Sequence, residues 1–228
     1  NFRFNTPIHM PEMANSYEYM SFIDAASMNA AQSKPYYDVQ RKQNAFDYIN
    51  GTLINPVTGV FDPNYTTVVD PTTGQWDGNQ TWANVDWLSE YYKDWSDSQE
   101  HNITISGGQN KIQYYLSANF QDQTGFLRSG DDNRQRYTFT GKVSAQASRM
   151  LKFDFTSRYT RIEYDKPARL TDTFFEEVLR RSLPMTPVVT PDGLNKGGFI
   201  PILEEGGRST NQNEDLSLQL KATLTPIK

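Results

Sequence analysis

Two pairs of adjacent carboxylates are the residues in this sequence whose type could support acid–base catalysis. They are Glu176-Glu177 and Glu204-Glu205. Hydrolysis of a glycosidic bond needs two carboxyl groups that flank the bond, and neighbours in sequence are poorly placed to face each other across a substrate. No Gly-x-Ser-x-Gly motif and no phosphate-binding loop accompanies them. We therefore interpret both pairs as solvated charge and predict that the chain is not an enzyme.

Metal and thiol chemistry have few candidate ligands. The sequence contains no cysteine and two histidines, His9 and His101, which excludes a zinc site and a thiol nucleophile. Asp62, Asp70 and Asp77 concentrate the hard oxygen ligands that calcium prefers, but their spacing does not follow the EF-hand pattern. We expect no metal and no other cofactor, with calcium binding by these carboxylates left as an open alternative.

Aromatic side chains are the remaining candidates for binding. Tryptophan and tyrosine rings stack on sugars, and all four tryptophans of the chain fall between positions 76 and 95. A large irregular loop also needs aromatic residues to build a small core, and we favour that role for each tryptophan. The candidates for contact with a ligand or a partner are Trp76, Trp82, Trp87, Tyr91 and Tyr92.

Composition excludes three broad classes of protein. The net charge of -5 over 228 residues arises without basic clusters, so the electrostatic footprint of a nucleic-acid binder is missing. Tyr and Phe each occur 13 times and 21% of the residues are charged, which leaves ample material for a core and excludes a disordered chain. No run reaches the roughly 18 apolar residues that a membrane-spanning helix needs.

Alternation of apolar and polar side chains predicts an all-β chain. It is clearest in four segments that begin at Lys111, Arg136, Leu151 and Leu216, and two shorter segments, 2–4 and 101–106, fit the same period of two. We therefore predict six strands. Representative apolar residues on one face are Leu116, Phe139, Phe153 and Leu220. The charged residues on the opposite face are Lys142, Asp154, Arg158 and Lys221.

Strand length and connections distinguish two all-β architectures. Strands of roughly 9 to 11 residues match the height of a bilayer's hydrocarbon core, whereas those of soluble sandwiches usually run about 5 to 6 residues. Tight turns at 107–110 and 147–150 alternate with long connections at 5–100, 122–133 and 164–214. This alternation favours part of a large antiparallel transmembrane β-barrel, in which the apolar face contacts lipid and the four charged residues face the lumen. A secreted glycan-binding β-sandwich module is the alternative.

The long connections contain predicted helices. Asn15 and Glu18 form a capping box ahead of a helix of about four turns, and a second helix is predicted at 38–49. A third is predicted where Thr173 and Glu176 form another capping box.

The first long connection also contains an internal repeat. Segments 55–62 and 70–77 share the pattern Asx-Pro-x-Thr-Gly-x-aromatic-Asp. Proline fixes one backbone angle and glycine supplies another, so the pattern predicts two similar hairpin turns.

Several motifs between positions 86 and 126 point to a known family. They are Asp86-Trp87, the run Ser98-Gln99-Glu100-His101-Asn102-Ile103-Thr104-Ile105-Ser106-Gly107-Gly108, Tyr114-Tyr115-Leu116-Ser117 and Asp122-Gln123-Thr124-Gly125-Phe126. Together they closely resemble the first barrel hairpin of SusC/RagA-type TonB-dependent transporters. The stretches 134–153, 184–193 and 10–26 also resemble that family, so the resemblance covers nearly the whole chain.

The resemblance implies a nutrient importer of Bacteroidota-type bacteria, a multi-pass β-barrel of the cell outer membrane. Its implied partners are a SusD-like surface lipoprotein, TonB and outer-membrane lipid, and its implied substrate is an oligosaccharide or a peptide. Nothing in the sequence resembles the TonB box, the plug domain or the remaining strands of a barrel of about 22. We therefore expect residues 1–228 to be a partial barrel domain with long extracellular loops at 5–100 and 164–214.

Overall fold

The chain divides into two compact units. The computed structural model describes residues 1–7, 11–30, 34–195 and 200–226, so His9 and Met10, which the sequence analysis used, lie outside the described residues. The sheet unit comprises Asn1–Pro7, Lys93–Ala168 and Gly207–Lys228, and the loop unit comprises Ile8–Tyr92 and Arg169–Gly206. The two long connections of the sequence therefore fold into one unit.

Strands predominate among the described elements. In chain order the strands are β1 (Phe2–Asn5), β2 (Thr67–Val69), β3 (Trp76–Thr81), β4 (Ser96–Gln109), β5 (Ile112–Thr124), β6 (Asn133–Gln146), β7 (Leu151–Pro167) and β8 (Arg208–Leu224). The helices are α1 (Ser16–Asn29), α2 (Val39–Ile49), α3 (Trp87–Tyr91), α4 (Asp172–Arg181) and α5 (Ile200–Glu205). Among the residues described, no helix has both the length and the apolar character needed to cross a membrane.

The sheet unit is built on one antiparallel sheet of six strands. Its order is β1-β4-β5-β6-β7-β8, and it is open, with β1 and β8 at its edges. The six predicted strands are therefore confirmed. Three extend furthest beyond the predicted alternation, since β4 starts at Ser96, β7 reaches Pro167 and β8 starts at Arg208. Both faces are largely polar in these extensions, so hydropathy gives no signal there although the backbone ladder continues.

The sequence placed one of the two tight turns between strands correctly and the other incorrectly. The turn at 147–150 is confirmed, whereas the one placed at 107–110 is wrong, because β4 continues to Gln109 and the turn is 110–111. Asn110 adopts φ +45°, a left-handed conformation that asparagine tolerates. Gly107 lies opposite Tyr114, and a β-carbon there would sit 2.6 Å from the tyrosine hydroxyl. This glycine therefore leaves space for the ring of Tyr114 and is not part of the turn.

One of the two capping boxes predicted in the loop unit is confirmed. Asn15 and Glu18 exchange both hydrogen bonds of a capping box at the start of α1. The helix predicted at 38–49 is also confirmed, as α2, and the Asp38 side chain caps it. The box predicted at Thr173 is wrong, because α4 starts earlier, with Thr171 at the N-cap position and no side-chain capping bond. The short helices α3 and α5 were not predicted, since a helix of one to two turns carries little periodicity.

The internal repeat forms two equivalent hairpins. In the first, Gly59 N–H donates to Asn55 O at 2.8 Å, and in the second, Gly74 N–H donates to Asp70 O at 2.8 Å. Both glycines are left-handed, with φ +73° and +68°. The side chain of each first residue also accepts from the backbone two positions later, at 2.9 and 2.7 Å. The predicted turn chemistry is confirmed for both copies.

Two aromatic clusters form the core of the loop unit. One contains Met20, Tyr37, Ala45, Trp82 and Met185. In the other, Trp87 stacks on Tyr91 at 5.6 Å between ring centroids, and Phe174 meets Tyr91 edge-on at 6.1 Å. Each cluster combines residues from both long connections. Hydrogen bonds from Ala83 N–H to Met185 O at 3.1 Å and from Val85 N–H to Pro184 O at 2.9 Å fasten the same two segments together.

Candidate functional site

The sheet has two chemically distinct faces. Directly paired residues of an antiparallel sheet point to the same side, so the register assigns every strand residue to a face. The apolar face carries the even-numbered residues of β1, β5 and β8 and the odd-numbered residues of β4, β6 and β7. The polar face carries the others.

The apolar face is continuous over five strands and is open to solvent in this chain. Leu116 lies opposite Ile105 and Gly141, and Phe139 lies opposite Ala118 and Tyr159. Leu116 and Phe139 are each 51% exposed and Leu220 is 70% exposed. Monomeric soluble proteins rarely expose contiguous apolar surface, which makes this face a candidate interaction surface.

Charged residues end the apolar face at the side of the long connections. Arg161 follows Tyr159 on the same face of β7. It forms an ion pair with Glu163 and donates a hydrogen bond to Gln212 at 3.0 Å. Glu214 lies directly opposite it, 4.0 Å away. These acidic neighbours explain how a charged residue is accommodated at the end of the apolar stripe.

The four charged residues predicted from the alternation share the polar face. Asp154 lies opposite Lys221, accepts from Ser144 Oγ at 2.7 Å and pairs with Lys152 at 3.1 Å. Lys142 lies 5.6 Å above the ring of Tyr115. The fourth, Arg158, is paired in register with Thr140 and Ser217. Whether this face lines a lumen stays a prediction.

The sequence analysis missed other basic residues on the polar face. The register confirms Arg136 and Lys152, which the alternation of their segments already assigns to this face. It adds Arg3, Arg134 and Lys166. The same period of two, scored by the sign of charge in place of hydropathy, would have found them.

The aromatic binding candidates divide by burial. Trp82, Trp87 and Tyr91 are at most 1% exposed. Trp82 Nε1 donates to Tyr65 O at 2.9 Å and Trp87 Nε1 donates to Leu183 O at 3.0 Å, so both indoles have partners inside the core. These three side chains hold the loop unit together and are inaccessible to a ligand in this structure.

The other two aromatic candidates are accessible. Trp76 begins β3, opposite Val69, and Tyr92 follows α3; both are partly exposed. Contact with a ligand or a partner stays a prediction for these two residues.

Four of the carboxylates considered for catalysis or metal binding have local structural roles. Glu177 pairs with Arg169 at 2.6 Å. Asp62 and Asp77 each accept from the backbone N–H two residues later at 2.8 Å, and Asp70 caps its own hairpin. Within the described ranges, no group of three or more acidic or histidine side chains could hold a metal ion.

An ion pair between a buried aspartate and a partly exposed lysine links the first two helices of the loop unit. Asp24 of α1 pairs with Lys42 of α2 and accepts from the N–H groups of Tyr36 and Tyr37 at 2.8 and 2.9 Å. Burial alone would raise the pKa of Asp24, but the hydrogen bonds from Lys42 and the two N–H groups outweigh it and hold the pKa below its usual value. Burial also raises the pKa of Tyr37 to about 12, although Arg41 stacks 5.0 Å above its ring.

Comparison with known proteins gives a likeness in fold. No known family and no curated protein matches the sequence. Among the solved structures that resemble it are the RagAB peptide importer in its closed-closed state, at 15% identity, and the RagAB peptide transporter, at 17%. Each similarity covers 100% of this chain and 26% of the matched chain, with a TM-score of 0.60. The chain thus spans about a quarter of the length of the chains it matches, and its fold is related to that of RagA/SusC-type transporters.

Proposed function

We propose that this chain forms part of the wall and the extracellular loops of an outer-membrane β-barrel that imports a nutrient in a TonB-dependent manner. The substrate is an oligosaccharide or a peptide, and a SusD-like surface lipoprotein and TonB are the partners. The observation that carries the proposal is the two-faced, six-stranded sheet with five long strands, which shares its fold with a peptide importer over the whole chain. The SusC/RagA resemblance of the sequence supports the same conclusion.

The dimensions of the apolar face support a position in the membrane. Along β5 the apolar residues run from Ile112 to Phe120, which is about 27 Å at about 3.4 Å per residue. A strand tilted by about 40° spans about 21 Å of bilayer over that length, close to the roughly 25 Å of an outer-membrane barrel's apolar band. The charged residues around Arg161 begin where this band ends, at the level of the headgroups.

The alternative, a secreted β-sandwich, lacks support from the sheet. A sandwich buries one face of each sheet against the other sheet, about 10 Å away. The described residues form one other sheet, the two-stranded β2-β3 pair of the loop unit. The apolar face instead stays exposed over five strands, and strands of 13 to 17 residues exceed what a sandwich uses.

The ordered loop unit suits a role in binding the lipoprotein. Ordering a backbone costs about 1 to 2 kcal/mol per residue, and the two aromatic clusters offset that cost within the unit. The first hairpin nevertheless exposes apolar side chains, with Val57 at 91% and Val60 at 59% exposure. Together with Trp76 and Tyr92, these are the residues through which we expect the unit to contact its partner.

Membrane fractionation of the full-length protein tests the central claim. We expect it in the outer-membrane fraction, soluble only with detergent, and required for growth on the oligosaccharide or peptide that it imports. Recovery of a monodisperse, detergent-free protein outside the outer membrane would falsify the importer proposal.

A matched pair of variants tests the partner surface. Val57→Glu places a charge on the exposed hairpin, and Thr58→Glu places the same charge at the next residue. We expect the first to weaken co-purification of the lipoprotein more than the second. If both variants recover as much lipoprotein as the wild type, the hairpin has no role in partner binding.

A further inference from the structure

The polar face of the sheet is strongly basic although the chain as a whole is acidic. Its basic residues are Arg3, Arg134, Arg136, Lys142, Lys152, Arg158, Lys166 and Lys221, and its acidic residues are Glu100, Asp154 and Asp215. All eleven lie within the described strands. The apolar face has the opposite bias, with Arg161 and Arg208 against Asp97, Asp122, Glu163, Asp165 and Glu214. The excess of five positive charges is therefore a property of one surface and not of the composition.

Few of these bases are neutralised on their own face. Within the described residues, ion pairs shorter than 4 Å join Arg3 to Glu100 at 3.8 Å and Lys152 to Asp154 at 3.1 Å. Glu100 also accepts from Asn119 Nδ2 at 2.9 Å, and Asp154 accepts from Ser144. The two acids thus have several donors each. The other six basic side chains form no ion pair within 4 Å on this face, and of these Lys221 lies opposite Asp154 and interacts with it electrostatically.

Arg136 contributes a guanidinium to this face, and its side chain is partly exposed. A guanidinium donates hydrogen bonds and accepts none, so a carboxylate or sulfate oxygen is its complementary group. The surrounding serine, threonine, asparagine and glutamine side chains of the face suit a hydrated polar solute.

We propose that the polar face favours an anionic solute, whose shared chemistry is a chain bearing several carboxylate or sulfate groups. This inference rests on the proposed import function, in which the polar face lines the path of the solute. Walls of one sign with a low dielectric behind them focus the field and raise the local concentration of the opposite charge. An acidic peptide and an acidic oligosaccharide both present that chemistry.

The test compares charged and neutral forms of the same solute in cells that carry the full-length transporter. One pair is a glutamate-containing peptide and its glutamine counterpart of equal length, and the other is an oligogalacturonate and its methyl ester. We expect faster uptake of the charged member of at least one pair, and which pair responds identifies the source. Uptake of the charged member at or below the rate of its neutral counterpart in both pairs overturns the inference.

Charge reversal assigns the preference to this face. Lys142→Glu with Arg158→Glu reverses two of the charges that lack an acidic partner, and Arg149→Glu makes the same change at the exposed 147–150 turn. We expect the charged-to-neutral uptake ratio to fall about tenfold in the double variant, because exposed charge pairs contribute up to about a factor of five each. The turn variant should keep the wild-type ratio.

A second pair of substitutions keeps the test informative if the double reversal fails to fold. Lys142→Gln with Arg158→Gln removes the charges without adding new ones, and we expect a smaller fall in the same ratio. If the bases instead complement an acidic part of the same protein, both double variants lower the thermal midpoint and leave the ratio unchanged, which also overturns the inference. Absence of any uptake by the wild type would refute the proposed function itself, a separate outcome.

Discussion

Arginine placed at different depths of the apolar face should have effects that depend on depth. Leu116 lies at the centre of the band that runs from Ile112 to Phe120 on β5, and it is 51% exposed, so an arginine fits there sterically. At the midplane of a bilayer an arginine on the lipid side of a barrel costs about 2 to 4 kcal/mol, and near the interface about 0 to 1 kcal/mol. We expect Leu116→Arg to cost about 2 to 4 kcal/mol, as at the midplane, and Ile112→Arg to cost about 0 to 1 kcal/mol, as near the interface.

The neighbouring residue supplies the control for the face assignment. Ser117 follows Leu116 on β5 but lies on the polar face, opposite Thr104 and Thr140. Ser117→Arg should therefore change the free energy of unfolding by far less than Leu116→Arg, since its side chain stays in a hydrated environment. Leu116→Ala separates the loss of packing from the cost of the charge.

The assay is reversible folding of the full-length protein into vesicles of defined lipid, followed by chemical denaturation. The free energy of unfolding of each variant is compared with that of the wild type. Equal losses for Leu116→Arg and Ser117→Arg would show that the faces are wrongly assigned. Equal losses for Leu116→Arg and Ile112→Arg would show that the apolar face meets something other than a bilayer.

Three further outcomes concern the loop unit and are measured by hydrogen exchange on the full-length protein. Trp82→Phe should lower the local free energy of opening by about 1 to 3 kcal/mol, because it removes a buried donor that is bonded to a backbone carbonyl. Trp76→Phe should lower it by less than about 0.5 kcal/mol. Equal effects of the two substitutions would contradict the burial pattern. The folded pKa of Asp24 is depressed, so its contribution to stability is fully present above the unfolded value of about 3.9 and is lost as pH falls through the folded pKa. Protection in α1 and α2, measured against the exchange rate of the unfolded chain at the same pH, should therefore fall in acid, and Asp24→Asn should flatten that dependence; an unchanged profile would refute the assignment. Gly59→Ala should destabilise the first hairpin by about 1 to 2 kcal/mol because its φ is +73°, and Gly59→Asn by less; the reverse order would contradict the left-handed turn.

The local features of this fold were predictable from the sequence because each depends on neighbours in the chain. A strand half-exposed to an apolar medium must alternate, so the period of two located all six strands of the sheet and assigned Lys142 and Asp154 to one face. The capping box at Asn15 and the hairpins at 55–62 and 70–77 satisfy their hydrogen bonds within a few residues. Prediction from the sequence failed where the same residue type fits two local structures. Gly107 resembles a turn residue in sequence, but it lies within a strand and leaves room for the ring of Tyr114 on the neighbouring strand.

Burial and the grouping of distant segments were decided only by the tertiary structure. Trp76 and Trp82 are both tryptophans in one loop, yet the first is partly exposed and the second is in the core. The difference arises because Met185, from the other long connection, packs with Trp82, and no local pattern encodes a contact over that separation. The same holds for Phe174 against Tyr91, which unites two connections that the sequence presents as separate loops. Alternation thus determined which side chains share a face, while the fold of the loops depended on which apolar side chains could exclude water together.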